Sequence, residues 1–265
     1  MPVIRLATAA IHYRESGSGH PLLLLHANPG DSRDFDAVIP ALAKQFRVIA
    51  PDWPGYGKSV FHQSTENPVA TDFRDILAAF IEALDLPELT LIGNSLGGNA
   101  AAWYAATHPE RVHSVVLVSP GGFTPHNAVT RSFCRWQGSR FAMPPSWFAR
   151  VYLRKRTATT RAMLERAAGE QSTPEAMAIN RAVWRSFADP AHDLRPIAGK
   201  IRCPSLLMFG RGDPVIPAWV DGRSARRVMP GAAYRMMPCG HAPFAEIPER
   251  FLEEALGFLA GVAAS

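Results

Sequence analysis

Three short stretches hold residues that could do chemistry together. Gly93-Asn94-Ser95-Leu96-Gly97 follows the pattern GxSxG, between the apolar run Leu89 to Ile92 and an alanine-rich stretch, Leu96 to Thr107. A strand followed by a tight turn and a helix lifts a serine hydroxyl above the edge of a sheet, and flanking glycines leave room beside it. That hydroxyl is a weak nucleophile at neutral pH, so it needs a base to take its proton during attack. His241, in Cys239-Gly240-His241-Ala242-Pro243-Phe244, falls between the last predicted strand and the last predicted helix. This puts it on a loop at the same sheet edge as Ser95. An imidazole base must in turn be held in one tautomer by an acid. Asp213, in Gly210-Arg211-Gly212-Asp213-Pro214, follows a strand predicted to end at Phe209. The order serine, acid, histidine is the one expected when the nucleophile sits on such an elbow. Of the other histidines, His26 is read as structuring its loop. His12, His20, His62, His108, His113, His126 and His192 fit solvated or lid positions.

The elements that must position these residues can be read from periodicity. Val3 to Leu6 and Ile11 to Arg14 predict short strands, Leu22 to Leu25 a buried one ending at His26, and Phe46 to Ala50 another. Ser32 to Ala43 and Asp72 to Leu84 show helical spacing of apolar residues. Pro51, Pro54, Gly55 and Gly57 mark a loop. Val112 to Val118 predicts a central parallel strand, Ile201 to Phe209 and Tyr234 to Met237 two more, and Ala218 to Val228 and Ala245 to Leu259 helices. The fold class is therefore α/β, a mostly parallel, doubly wound sheet. Between about 123 and 196 the alternation stops, and this stretch is expected to be a helical lid inserted into a core of residues 1–122 and 197–265. Phe123, Trp136, Trp184 and Phe244 are the expected substrate-binding residues.

Charge and cysteine usage narrow the class further. The net charge of +5 is concentrated, because 123–196 holds 12 Lys/Arg against 5 Asp/Glu. A basic stripe without any RNA- or DNA-module signature reads as solvated helix faces, so no nucleic acid partner is expected. The same arginines could instead steer an anionic substrate, which would favour a carboxylate-bearing ester over a cationic one. Cys134, Cys203 and Cys239 lack CxxC or finger spacing, so neither a disulfide framework nor a metal site is expected. No signal segment and no membrane span are read, and a cytoplasmic location follows. The expected partner is a small-molecule substrate, without cofactor, and monomer or dimer stays open.

The loop His26-Ala27-Asn28-Pro29-Gly30, the segment Asp52-Trp53-Pro54-Gly55-Tyr56-Gly57-Lys58-Ser59, the elbow, the acid loop and the histidine loop occur in an order that resembles the α/β-hydrolase superfamily over almost the whole chain. The likeness implies a serine-nucleophile hydrolase whose oxyanion hole is formed by the N–H groups of Asn28 and Leu96. Asp52 to Ser59 lacks the spacing of a phosphate loop and is read as structural. Haloalkane dehalogenases and epoxide hydrolases of similar sequence carry an aspartate at the elbow, which Ser95 opposes. Gly93 to Gly98 and Ser119-Pro120-Gly121-Gly122 are similar to carbon–carbon hydrolases of aromatic ring cleavage, although Ala242 stands where those place tryptophan. Ester hydrolysis leads this reading. Carbon–carbon cleavage, perhydrolysis and a non-enzymatic receptor of the same fold are its alternatives.

Overall fold

The computed structural model describes residues 2–62 and 67–263. Nine strands form one sheet: β1 (Val3–Arg5), β2 (Ala9–Ser16), β3 (Pro21–Leu25), β4 (Arg47–Pro51), β5 (Val60–Phe61), β6 (Leu89–Asn94), β7 (Val112–Val118), β8 (Ser205–Gly210) and β9 (Ala233–Met237). Their order is β1-β2-β4-β3-β6-β7-β8-β9, with β5 on the edge of β2. All pairs from β4 to β9 along this path are parallel, and the antiparallel pairs are those that β2 makes with β1, β4 and β5.

Strands buried on both faces should read as continuous apolar runs, and they do. In β3, Leu23 and Leu25 enter the core on one face while Leu22 and Leu24 enter the core on the other. β7 splits likewise, with Val115 and Leu117 opposite Val116 and Val118. Each such fully buried side chain contributes about 1.5–3 kcal/mol, so such strands anchor everything attached to their ends.

Connectivity places the chemistry. From β3 the chain moves to β4 on one side, whereas β6 lies on β3's other side. In an open parallel sheet, the carboxyl ends of two such strands frame a crevice. The loop after β3 carries His26 to Gly30, and the turn after β6 carries Ser95.

The differences from the sequence reading have local causes. Ser32 to Ala43 is a 3₁₀ turn at Ser32–Phe35 followed by a short helix with Pro40 in its first turn. Pro204 delays the start of β8 to Ser205, and Pro248 divides the last helix into Pro243–Glu246 and Pro248–Ala263. Ala218–Gly222 is a π-helical turn leading into Arg223–Val228. Between β7 and β8, helices occupy Ala128–Gln137, Pro145–Tyr152, Ala158–Ala168 and Pro174–Ser186. Asn127 and Thr157 cap two of them with reciprocal capping boxes. No helix among the described residues is long and apolar enough to cross a membrane.

Candidate active site

Ser95 sits between β6 and the helix Leu96–Thr107 with φ 54° and ψ −110°, a left-handed backbone that a non-glycine residue adopts at a cost of about 1–3 kcal/mol. Surrounding bonds hold it there. Its N–H donates to Val118 O at 3.1 Å, and its carbonyl accepts from the N–H groups of Asn99 and Gly121, each at 2.9 Å. Gly97 lets the helix start close on β3, since a Cβ there would stand 2.2 Å from Leu25 O. Asn94, one residue before the serine, donates through Nδ2 to Val118 O at 3.0 Å and to His241 O at 3.2 Å. One side chain thus ties the elbow to the histidine loop.

His241 and Asp213 are both buried, and His241 Nδ1 lies 2.6 Å from Asp213 Oδ2. The other carboxylate oxygen accepts from Val215 N at 2.8 Å and Ile216 N at 3.1 Å. Burial alone would raise the pKa of this carboxyl. The neighbouring imidazole and these three hydrogen bonds outweigh burial and hold it below the ordinary aspartate value. With Nδ1 engaged, Nε2 is the ring nitrogen left to serve the serine. No hydrogen bond joins Ser95 Oγ to His241 here, as is common before a substrate draws the two together.

A residue that sequence reasoning missed holds the histidine loop. Glu246 is 2% exposed and accepts from four backbone N–H groups, those of Arg154, Lys155, Gly240 and Ala242, at 2.8–3.2 Å. It therefore fixes both neighbours of His241 and joins them to the end of the helix Pro145–Tyr152. Tyr152 reinforces this, since its carbonyl accepts from His241 N at 3.0 Å. The only signal in the sequence was a lone glutamate within the apolar stretch Pro243 to Ile247.

His26 is fully buried and structures its loop. Its Nδ1 lies 2.8 Å from Ala27 O, and its Nε2 accepts from Trp53 N at 2.8 Å, so Nδ1 carries the proton. Burial holds its pKa below the usual histidine value, keeping it neutral. Its carbonyl accepts from Gly97 N at 3.2 Å and Trp53 Nε1 at 2.9 Å, which draws the loop onto the elbow. The Asn28 side chain accepts from the buried Tyr56 hydroxyl. Leu96 is the first residue of its helix, where an N–H has no intrahelical acceptor and is free to face an oxyanion. Asp52 is structural, accepting from Ser32 N and Lys58 N and pairing with His12. His12 is therefore buried rather than solvated.

Ser95 opens into a cavity of about 380 Å³ closed on one side by the helices of 123–196. Of the four expected substrate-binding residues, Trp184 lines it, packed at its edges by Phe133 and Phe148 with ring centroids 5.8 and 5.6 Å away. Phe123 is buried in one core face and Phe244 in the other, where it meets Phe35 at 4.4 Å. Trp136 stands on the surface outside the lining. The sequence reading passed over His126, His192 and Asp221, which do line the cavity. His192 is buried there, not solvated.

Residues 20–177 match the family model of the alpha/beta hydrolase fold. The chain belongs to the α/β-hydrolase family. It is 28% identical to the 2-hydroxy-6-oxo-6-phenylhexa-2,4-dienoate hydrolase of Burkholderia cepacia, over 96% of this chain and 93% of that one. It is 29% identical to the pimeloyl-[acyl-carrier protein] methyl ester esterase of Nitrosomonas europaea, over 92% and 97% of the two chains. Among solved structures, a bacterial membrane phospholipase A superposes with a TM-score of 0.85 at 26% identity, covering 100% of this chain and 86% of that one. Hydrolase chemistry is thus common to the named relatives of this α/β hydrolase, although their bonds of choice differ.

Proposed function

We propose that this α/β hydrolase cleaves a small ester or related acyl compound through an acyl-enzyme at Ser95, without a cofactor. The observation that carries this is the 2.6 Å contact between His241 Nδ1 and Asp213, which leaves Nε2 as the ring nitrogen available to Ser95, with Asn94 tying the elbow to the histidine loop. In this reading Nε2 takes the hydroxyl proton as Oγ attacks the acyl carbon, and Asp213 steadies the imidazolium that forms. The negative charge on the tetrahedral oxygen is met by the N–H groups of Leu96 and Asn28. His241 then gives its proton to the departing alcohol, and water repeats the sequence to free the acid. Residues 123–196 act as a lid over a core of 1–122 and 197–265, and the setting is cytoplasmic.

A second reading, cleavage of a carbon–carbon bond, is favoured by the dienoate hydrolase among the relatives. The same elbow and base would serve it. Purified protein assayed on p-nitrophenyl acetate and on a 2-hydroxy-6-oxo-dienoate separates the two. Ester turnover that disappears in Ser95→Ala is the expected result, whereas turnover of the dienoate alone transfers the assignment to carbon–carbon cleavage. Turnover of neither leaves the receptor alternative standing.

A further inference from the structure

The cavity beside Ser95 is mostly apolar, yet it contains polar atoms that the protein itself does not satisfy. Asp221, on the π-helical turn Ala218–Gly222, is 0% exposed. Its Oδ1 accepts from the Thr124 hydroxyl, while its Oδ2 is buried without a partner. His192 Nδ1, His126 Nε2 and Trp184 Nε1 are also buried and unpartnered, and all three residues line the same cavity. These are four of the eleven such atoms among the described residues. A buried polar atom left unpaired costs about 1–3 kcal/mol, so their concentration in one cavity points to a ligand that supplies the missing bonds.

The kind of ligand follows from what the atoms can do. Trp184 N–H only donates, a carboxylate oxygen only accepts, and a neutral imidazole does one at each nitrogen. A matching group must therefore both donate and accept. Charge narrows the choice further. No lysine or arginine lines the cavity, and Asp193, the other acid there, is already engaged by Arg195. Burial and the nearby Arg74 push the His192 imidazole down to about 4, so it brings no positive charge at neutral pH. Burial pushes Asp221 up to about 6, which leaves it mostly ionised at pH 7. A carboxylate entering this cavity would meet the Asp221 carboxylate and no lysine or arginine in the lining. The excess arginines of 123–196 lie outside the lining, so the expectation of a carboxylate-bearing substrate does not carry into the cavity.

We propose that Asp221, with His192 and Trp184, forms a polar subsite for an uncharged hydrogen-bonding group of the substrate, a hydroxyl or a primary or secondary amide, and rejects a carboxylate. This rests on the reading of the cavity as an acyl-enzyme site. It adds a substrate class to that reading, an apolar ester with a hydroxyl or amide some distance from the scissile bond.

Esters of matched length ending in methyl, hydroxyl, primary amide or carboxylate test this. The terminal group is carried on the acyl chain in one series and on the alcohol in the other. In at least one series, kcat/KM at pH 7.5 for the amide or hydroxyl ester is expected to exceed that for the carboxylate ester by tenfold or more. Asp221→Asn is expected to raise the carboxylate ester about tenfold relative to the amide ester, and Asp221→Leu to bring methyl and hydroxyl esters within about twofold of each other. Equal or better use of the carboxylate ester in both series overturns the proposal, as does a preference that survives both substitutions. Calorimetric binding of the same esters to Ser95→Ala gives the ranking without turnover. If no ester is hydrolysed yet the ranking in binding holds, the hydrolase reading fails and the subsite stands.

Discussion

The loops at the strand ends and the helices of 123–196 are built on opposite plans. In the loops, His26, Asp213, His241 and Glu246 are all at most 4% exposed, and each is fixed by hydrogen bonds to backbone or to a neighbouring acid. The helical segment instead leaves apolar side chains in water. Six of the eleven exposed large hydrophobic residues among those described lie in it, including Val129, Phe141 and Trp147 at 64–77%. One of its ties to the core is ionic, with Arg166 buried between Asp31 and Asp34 and its Nη2 2.6 Å from Asp34. Closely held loops suit proton transfers that need positions held to fractions of an ångström, and an aromatic segment that lines the cavity suits substrate contact.

Breaking the loop side should have the largest effects. Ser95→Ala is expected to lower kcat by up to about 10⁶, and Asp213→Asn by about 10⁴ with little change in fold, by leaving the imidazole in the wrong tautomer. Steady-state kinetics with matched circular dichroism spectra checks both, and near-native turnover in Asp213→Asn would place the orienting acid elsewhere. Arg166→Met attacks the joint between the two regions by stranding the buried Asp34, while Asp31 keeps its pairing with Arg33. Burial and the neighbouring Asp31 already push Asp34 up to about 7 despite Arg166. Urea unfolding is expected to show a loss of about 3–5 kcal/mol at pH 7.5. A loss under 1 kcal/mol would mean the ion pair does not anchor the segment.

Asp221 offers a smaller effect with a definite sign. Its pKa is raised to about 6 by burial, against an ordinary value of 3.8, so ionising it opposes folding. Its favourable contribution is complete below about pH 4 and fades as pH rises through about 6. Asp221→Asn removes that fade, so its stability relative to wild type should improve by about 2–3 kcal/mol between pH 4 and pH 8. A pH-independent difference in urea midpoints would contradict it. The smallest effect belongs to Trp136, 45% exposed and outside the cavity lining. Trp136→Ala should change stability by less than about 0.5 kcal/mol and leave kcat/KM for p-nitrophenyl acetate within about twofold.

What the sequence revealed divides along the same line. The strands and the elbow were legible because continuous apolar runs, glycines and turn residues are local signals. The placement of Ser95, Asp213 and His241 followed from their positions after β6, β8 and β9. Glu246 was not legible, because its four backbone donors come from segments brought together only by folding. The lining of the cavity was illegible for the same reason. An aromatic residue in 123–196 can point inward like Trp184 or outward like Trp136, and composition cannot distinguish them. Phe123 and Phe244 went into the core because a large apolar side chain near a strand end packs wherever the sheet faces are uncovered.

The central claim is that a histidine-activated hydroxyl at Ser95 is the nucleophile. Treating the protein with a fluorophosphonate and mapping the adduct by peptide mass spectrometry tests it most directly. One phosphonyl group on Ser95, absent in Ser95→Ala and slowed at least a hundredfold in His241→Ala, is the expected result. An unlabelled Ser95 in folded protein, or an adduct on another residue, would contradict it.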